Sequence, residues 1–405
     1  MALQRVLVAG AGPVGLTCAL VLARGGVPVT VFEREPDLAE DLRASTWHPP
    51  TLDMLAELGL ADEMLQVGLK SRYTQYRDRQ SGAIAEFDLE LLRGETDHPY
   101  RLQYEQFRYT RLVLERLKAF SHVEVRFGRA VASVSQNSAG VDVALETADR
   151  HADRPADRHP DRHRGDYLIG ADGGRSAVRE TLGIEFEGFT FPERFYSVST
   201  KFDFASALER LSHVNYIADV DEWYVLLKVP GFWRSLFPTR VDEDDEAVLS
   251  ESSTQTRLHG VFARPQPYEV FHRTIYRVHQ RVARQYRVGS VFLAGDAAHL
   301  NNPLGGMGMN GGLHDAINLT GKLVAIHRGE ADDKVLDRYE PERRPIAIDY
   351  INANTARNKK VMEERDPEAR KRAQDEMCRI AADPIAAKAF LMRSSMIDAL
   401  RAVPA

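Results

Sequence analysis

The residues near the N-terminus whose spacing suggests chemistry are Gly10-Ala11-Gly12-Pro13-Val14-Gly15, a GxGxxG pattern between an apolar run and a helix-like segment. The first glycine of such a pattern permits a tight turn, the second lets the backbone approach a pyrophosphate, and the third allows close helix-to-strand packing. The positive end of the helix favours the phosphate charge. The sequence therefore predicts a dinucleotide site with contacts at Gly10, Gly12, Pro13 and Gly15, and this motif fits NAD and FAD equally.

Glu33 lies eighteen residues after Gly15, at the end of the next apolar run. A carboxylate at this place can accept hydrogen bonds from both hydroxyls of an adenosine ribose, and it would repel a 2′-phosphate. We therefore expect Glu33, with Arg34 beside it, to bind the adenosine part of the cofactor.

Two further aspartates follow buried strand-like runs. Asp172-Gly173 follows "YLIGA", and Asp296 follows "VFLAG". Doubly wound folds bind their ligands at the carboxyl ends of strands, so all three motifs should face one cofactor. A cofactor that reaches all three places is long, which favours FAD over NAD.

A glycine-rich stretch follows Asp296 and runs directly into a long helix-like segment. A helix start with few side chains presents amide groups and a positive dipole end to whatever lies against it. Reduced flavin carries negative charge at its N1–C2=O edge, and we expect this stretch to lie under that ring. The predicted contacts are Gly305, Gly306, Gly308, Met309 and Asn310.

Together the three motifs resemble those of the single-component FAD-dependent aromatic hydroxylases, the class A flavoprotein monooxygenases that include para-hydroxybenzoate hydroxylase and phenol hydroxylase. The resemblance covers about residues 1–330. It implies that Arg43 contacts the pyrophosphate, that Gln106 and Asp296 contact the ribityl chain, and that Pro303 lies near the reactive edge of the flavin.

The resemblance also implies a reaction. NADH or NADPH would visit transiently to reduce FAD, and O₂ would form a C4a-hydroperoxyflavin that hydroxylates a phenol-like aromatic substrate. The alternatives are hydroxylation, epoxidation or Baeyer–Villiger insertion on a polyketide or quinone precursor, and flavin-dependent halogenation. Halogenation is disfavoured because Trp223 is followed by "YVLLKVP" and not by a WxWxIP pattern.

The substrate side of the site is less well marked. A base or hydrogen-bond acceptor near the ring oxygen would promote attack on a phenol. His48 and Pro303 are the catalytic candidates, and the substrate-binding candidates are His213, Tyr216, Trp223 and Tyr224.

These motifs need an α/β fold of the glutathione reductase type, with a Rossmann-like FAD-binding domain, an inserted and mostly antiparallel substrate sheet, and C-terminal helices. Residues 4–33 predict a βαβ unit, 49–58 and 105–118 predict helices, and 122–146 predicts three strands. The predicted FAD-binding domain comprises 1–74, 98–184 and 276–330. The predicted substrate domain comprises 75–97 and 185–275, and the helical region is 331–405.

Composition excludes several other functions. The 405 residues carry a net charge of −6 and no basic block, which argues against a nucleic-acid partner. Two cysteines and no long apolar run predict a cytoplasmic protein without a metal site or a membrane span. We expect the "ADRH" repeat at 148–163 to form a solvated loop, and the C-terminal helices to offer a surface for a homodimer.

Overall fold

The computed structural model describes residues 2–147 and 161–402. The strands, in chain order, are β1 Val6–Ala9, β2 Val29–Phe32, β3 Thr46–Trp47, β4 Leu69–Ser71, β5 Tyr73–Asp78, β6 Gly82–Asp88, β7 Arg101–Gln103, β8 Val123–Arg126, β9 Arg129–Asn137, β10 Gly140–Thr147, β11 Asp161–Gly165, β12 Tyr167–Gly170, β13 Phe186–Thr200, β14 Val214–Ala218, β15 Tyr224–Val229, β16 Phe232–Pro238, β17 Val270–Ala283, β18 Arg287–Val288, β19 Val291–Leu293 and β20 His299–Leu300.

The helices, in chain order, are α1 Pro13–Arg24, α2 Pro49–Glu57, α3 Ala61–Val67, α4 Gln106–Leu117, α5 Ala177–Thr181, α6 Asp245–Leu249, α7 Glu251–Val261, α8 Gly308–His327, α9 Tyr339–Pro345, α10 Asn352–Glu363, α11 Pro367–Ala382, α12 Pro384–Ser394 and α13 Ile397–Arg401. The predicted βαβ unit is confirmed as β1–α1–β2, and the predicted helices as α2 and α4. The three strands expected over 122–146 are β8, β9 and β10.

The first sheet has the strand order β18-β19-β12-β1-β2-β8, and its strands from β19 to β8 run parallel. All four residues of β1, β2 and β12 are buried, as expected for strands covered on both faces. Ala9, Gly170 and Leu293 lie in register at the carboxyl ends of β1, β12 and β19. The register therefore brings the three predicted cofactor motifs to one edge of the sheet.

The second large sheet has the order β20-β17-β13-β16-β15-β14-β5-β6. The predicted antiparallel arrangement is confirmed except for β14 and β5, which pair in parallel. One face packs on α6 and α7 through residues such as Val248 and Leu258. The other face carries Tyr76 and Tyr216 and packs on Leu304 and the C-terminal helices. The proposed domain boundaries stay predictions.

The repeat at 148–163 lies mostly outside the described residues, which resume at 161. Its last three residues, Asp161, Arg162 and His163, belong to β11, which pairs antiparallel with β10. The prediction of a loop is wrong for these three residues, because alternating charges also suit an exposed strand whose backbone is paired.

Helices α1 and α8 cross in contact where two of the cofactor motifs meet. A Cβ atom added at Gly312 would lie 2.7 Å from Val14 Cγ2 and 2.9 Å from the Cα atom of Gly295, and one added at Gly15 would lie 1.9 Å from the carbonyl oxygen of Gly10. Glycine is therefore required here for close approach. No described helix is long and apolar enough to cross a membrane, and no three potential metal ligands cluster within the described ranges.

We expect Gly312→Ala to lower the free energy of unfolding by about 2 kcal/mol, because the new methyl group overpacks the crossing of α1 and α8. Chemical denaturation of the FAD-loaded protein measures this change. Gly321→Ala is the matched control, since it lies in the same helix with open space around its Cα, and alanine there should be neutral or stabilising by up to about 1 kcal/mol. Equal stabilities of the two variants would contradict a tight crossing.

Candidate active site

The loop between β1 and α1 has the geometry of a pyrophosphate cradle. Gly10 has a φ of +98°, and a Cβ atom there would lie 2.4 Å from the carbonyl oxygen of Ala171. At Gly12, by contrast, an added Cβ would meet nothing within 4 Å. The loop thus packs tightly against the chain just after the carboxyl end of β12. It leaves open space at the start of α1, where helical amides lack intrahelical acceptors.

Glu33 lies at the end of β2 beside this loop. Its Oε2 accepts a 2.6 Å hydrogen bond from the Ala11 amide, and its Oε1 accepts one of 2.9 Å from the Glu35 amide. Arg34 points outward and pairs with Glu35 at 3.4 Å. The backbone therefore fixes the carboxylate in the place predicted for the ribose, while Arg34 stays a predicted adenosine contact.

Asp172 and Asp296 follow β12 and β19 at the same edge. Asp172 Oδ2 accepts a hydrogen bond from the Val178 amide at 3.2 Å, whereas Oδ1 is buried without a partner among the described residues. Burial raises the pKa of this carboxyl group. Gly173 has a φ of +81°, and Asp296 is the exposed member of the buried turn Gly295–Ala297. An unpartnered oxygen and an exposed carboxylate at one groove suit a ligand rich in hydroxyl groups.

Asn310 ties the glycine-rich stretch to β3. Its Oδ1 accepts a hydrogen bond from the His48 amide at 3.0 Å, and its Nδ2 donates to the carbonyl oxygens of Thr46 at 2.9 Å and Gly306 at 2.6 Å. Gly305 and Gly306 have φ values of +111° and +68°, which side chains rarely adopt. This clamp holds the bare backbone in front of α8.

The start of α8 lies directly behind this clamp. The amides of its first residues, Gly308, Met309 and Asn310, have no intrahelical acceptors and lie at the positive helix end. This matches what the pyrimidine edge of reduced flavin would require. The individual flavin contacts stay predictions.

His48 lies behind the glycine stretch. It is fully buried, and its Nε2 lies 2.8 Å from the carbonyl oxygen of Gly305. Burial, and secondarily Arg101, lowers the pKa of His48 well below its usual value. The ring is therefore neutral and Nε2–H donates to the carbonyl oxygen of Gly305, while Nδ1 has no hydrogen-bond partner in the described part of the chain. His48 therefore supports the glycine stretch, which together with the start of α8 forms the predicted flavin cradle. Its catalytic role stays a prediction.

An apolar cleft separates the glycine stretch from the second large sheet. It brings the predicted substrate residue Tyr216 together with Pro303, Gly305 and Gly306. The residues that line the cleft are Thr46, Arg101, Val214, Tyr216, Val225, Leu227, Leu236, Pro303, Leu304, Gly305 and Gly306.

The structure places the other substrate candidates outside this lining. Trp223 packs edge-on against Phe195, with ring centroids 5.5 Å apart, in the apolar cluster beside the cleft. Tyr224 packs on Phe237 in the cluster on the opposite face of the sheet. His213 lies near the surface, with its Nδ1 3.2 Å from the carbonyl oxygen of Lys70.

Arg43 and Gln106 are both close to Ala44, the first as its neighbour in the chain and the second through a hydrogen bond. The Gln106 amide donates to the Ala44 carbonyl oxygen at 3.0 Å, and the Arg43 carbonyl oxygen accepts a 2.5 Å hydrogen bond from Nη1 of the buried Arg234. The side chain of Arg43 is exposed and pairs with Asp41 at 2.7 Å. The cofactor contacts of Arg43 and Gln106 stay predictions.

Arg101 is the residue of the cleft that sequence reasoning missed. Its side chain is only 3% exposed, yet its Nε and Nη1 have no partner among the described residues, and its Nη2 donates to the Ser394 carbonyl oxygen at 3.5 Å. A buried charge normally has a counter-ion. Arg101 lies in the three-residue strand β7, which is too short for its pattern to distinguish a buried arginine from an exposed one.

The predicted phosphate loop, the carboxylate predicted to bind the ribose and the glycine stretch at the start of α8 lie at one sheet edge, which is the arrangement expected of an FAD-binding oxidoreductase. The profile of the family described as FAD binding domain matches residues 4–354. The para-nitrophenol 4-monooxygenase of Pseudomonas sp. strain WBC-3 is 32% identical over 99% of this chain and 98% of its own length. The 6-hydroxy-3-succinoylpyridine 3-monooxygenase HspB of Pseudomonas putida is 35% identical over 88% of both chains.

A solved structure agrees with these relatives. The p-nitrophenol 4-monooxygenase PnpA of Pseudomonas putida DLL-E4 superposes over 100% of both chains with a TM-score of 0.88 and 31% identity. The chain therefore belongs to the FAD-dependent aromatic hydroxylases, the class A flavoprotein monooxygenases, as its motifs predict.

His314 lies in α8 near the clamp, and its pKa is linked to the stability of the protein. Its Nε2 lies 2.9 Å from Thr51 Oγ1, and burial, with Arg343 as the next cause, lowers its pKa to about 3. Unfolded histidine titrates near 6.5, so the unfolded state binds the extra proton as the pH falls. Stability should therefore decrease below about pH 6.5, with this residue contributing about 1.4 kcal/mol per pH unit.

We expect His314→Gln, which can keep the hydrogen bond to Thr51, to reduce that pH dependence by one proton. Denaturant unfolding of the FAD-loaded protein between about pH 7 and 5 measures the slope. Thr51→Val is the control, because it removes the same hydrogen bond and keeps the imidazole. A slope in His314→Gln equal to that of the parent protein would assign the titration to another group.

Proposed function

We propose that this enzyme hydroxylates a phenol that carries an electron-withdrawing group para to its hydroxyl, and that it binds this substrate as the phenolate. The observation that carries the proposal is the buried guanidinium of Arg101, which lines the cleft without a counter-ion among the described residues. An anionic ligand in the cleft would supply the missing charge and accept its free N–H groups.

The remainder of the cleft supports the same substrate class. None of the described residues that line it carries a carboxylate or an imidazole, and most are apolar. We expected a base near the ring oxygen, and the cleft contains a cation in its place. An electron-withdrawing para substituent makes a phenol acidic enough to ionise without a base, so a cation is the group that such a substrate requires.

The names of the relatives point the same way. Para-nitrophenol 4-monooxygenase and 6-hydroxy-3-succinoylpyridine 3-monooxygenase are both named for the ring carbon that lies para to the hydroxyl and bears the substituent. A phenolate oxygen directs electron density to that carbon. We therefore propose that oxygen is inserted there, which for a nitro substituent releases nitrite and leaves a quinone.

The chain's own residues hold the two reactants against each other. When bound, FAD supplies the chemistry that takes electrons from NADH or NADPH, activates O₂ and returns one oxygen atom as water. Pro303, Gly305 and Gly306 line the cleft on the predicted flavin side, and Tyr216 and Arg101 belong to the same lining. Apolar neighbours such as Leu227 and Leu236 exclude water from the reacting atoms.

We also propose a reducing, cytoplasmic location and retain the homodimer as a prediction. The first is supported by Cys18 and Cys378, which are both free, one buried and one exposed. A polyketide substrate remains the alternative on this fold. It is less consistent with the cleft, which the C-terminal helices cover on the side of the second sheet.

The test uses purified protein with its flavin confirmed by visible absorption. NADH and NADPH oxidation is followed with p-nitrophenol, p-hydroxyacetophenone, para-hydroxybenzoate and unsubstituted phenol, while product mass, nitrite and H₂O₂ are measured. The proposal predicts fast, coupled turnover of the acidic phenols, nitrite from p-nitrophenol, and poor turnover of phenol itself. Equal rates for all four, or H₂O₂ as the main product, would contradict it.

We expect Arg101→Gln to raise the KM for p-nitrophenol by about 100-fold, because a charge-assisted pair is worth about 2–3 kcal/mol. Steady-state kinetics at a pH where the substrate is ionised measures this effect. Arg273→Gln is the control for the same change of charge, since Arg273 lies in β17 of the second large sheet, is exposed, and pairs with Glu251 at 3.0 Å. Similar KM values for the two variants would remove Arg101 from substrate binding.

A further inference from the structure

The chain returns to the cleft at its C-terminal end. After α12 ends at Ser394, the Ser394 carbonyl oxygen accepts the hydrogen bond from Arg101 Nη2 at 3.5 Å. Two residues later Met396, which is fully buried, packs on Met307 at the start of α8. One short segment therefore contacts both the proposed anion-binding residue and the predicted flavin cradle.

Met396 is held in an unfavourable backbone conformation. Its φ is +68° and its ψ is 9°, in the left-handed region that side chains with a Cβ atom rarely adopt. Such conformations persist where the surrounding structure holds them, and they concentrate at functional sites. Here the strained residue immediately precedes α13 and faces the cradle.

Helix α12, which precedes this segment, is fixed on the second large sheet. Phe390 of α12 stacks on Phe87 with ring centroids 4.2 Å apart and meets Tyr76 edge-on at 6.2 Å. Tyr76 in turn stacks on the cleft residue Tyr216 at 5.1 Å. Glu95 binds Lys388 at 2.5 Å and Arg401 at 2.7 Å, so one carboxylate joins α12 and α13 to the loop after β6.

Met307 transmits the position of Met396 to the glycine stretch. A Cβ atom added at Gly305 would lie 3.4 Å from Met307 Cε and 3.7 Å from Met307 Cγ, so this side chain lies directly behind the cleft wall. Removing the Met396 side chain would leave Met307 free to withdraw from that wall. Removal of the Met396 side chain would therefore change the shape of the cleft without substituting any residue that lines it.

We propose that Ser394 and Met396 are positioning residues that fix the two sides of the active site relative to each other. The Ser394 carbonyl directs the guanidinium of Arg101 into the cleft, and Met396 supports the Gly305–Gly306 wall through Met307. The first part rests on the proposed function, since it needs Arg101 to bind the substrate anion. The second part concerns the flavin side and stands without it.

The experiment compares three variants of the full-length, FAD-loaded enzyme. Met396→Ala removes the side chain and keeps the left-handed constraint, and Met396→Leu restores its bulk. Ile397→Ala is the matched control, because Ile397 is the adjacent buried residue but belongs to the apolar cluster on the substrate sheet. Thermal unfolding, the flavin absorption spectrum, the dissociation constant of FAD, KM, kcat and the H₂O₂ released per NAD(P)H oxidised are measured for each.

We expect Met396→Ala to raise KM for p-nitrophenol about tenfold with kcat changed less than about twofold, which is the pattern of lost substrate positioning. It should also raise H₂O₂ release and shift the flavin band. Met396→Leu should remain within about twofold of the parent enzyme, and Ile397→Ala should lower the melting temperature without these effects. If Met396→Ala and Ile397→Ala behave alike in KM, H₂O₂ and flavin spectrum, the proposal is overturned.

A double-mutant cycle separates the two routes. If loss of the Met396 side chain also displaces the Ser394 carbonyl that holds Arg101, two residues earlier in the same segment, the effects of Met396→Ala and Arg101→Lys on KM should be less than additive, whereas independent residues give additive effects. Additive effects would overturn the route through Ser394. Failure of the parent enzyme to turn over acidic phenols would contradict the proposed function instead, and the FAD dissociation constant and flavin spectrum would still decide the role of Met396.

Discussion

The close approach of backbone segments at one edge of the parallel sheet is the constraint on which this structure depends. Gly10 lies against Ala171, Gly15 against Gly10, and Gly312 against Gly295, and a side chain at any of these glycines would separate the segments. Because β1, β12 and β19 end in register, these contacts bring loops distant in sequence to one groove. The groove then carries the polar groups of all three cofactor motifs at one edge.

The second constraint is electrostatic. The substrate sheet meets the cofactor groove across an apolar cleft, and Arg101 enters that interface without a counter-ion among the described residues. Leaving a charge unpaired in such surroundings is unfavourable unless a ligand completes the pair. The C-terminal segment limits where this guanidinium can point, so the anion, the flavin wall and the last helices of the chain form one unit.

The cofactor side was largely predictable from sequence, whereas the substrate side was not. Glycine spacing, the carboxylate at Glu33 and apolar strands are local signals, so the βαβ unit, the sheet edge and α8 follow from short segments. Arg101 and Met396 carry no local signal, because their roles come from contacts with residues far away in the sequence, Ser394 for Arg101 and Met307 for Met396. Tyr216 and Tyr224 looked alike in sequence, yet strand alternation places them on opposite faces of the sheet.

The most direct measurement is the absorption difference spectrum of p-nitrophenol bound to the oxidised holoenzyme, recorded at a pH below the pKa of the free phenol. Phenolate and phenol forms of this ligand absorb at different wavelengths, so the spectrum reports the charge state in the cleft. A cleft built around Arg101 should stabilise the anion, and the phenolate band should persist on the enzyme after it has disappeared from solution. A bound ligand with the spectrum of the neutral phenol would contradict this account.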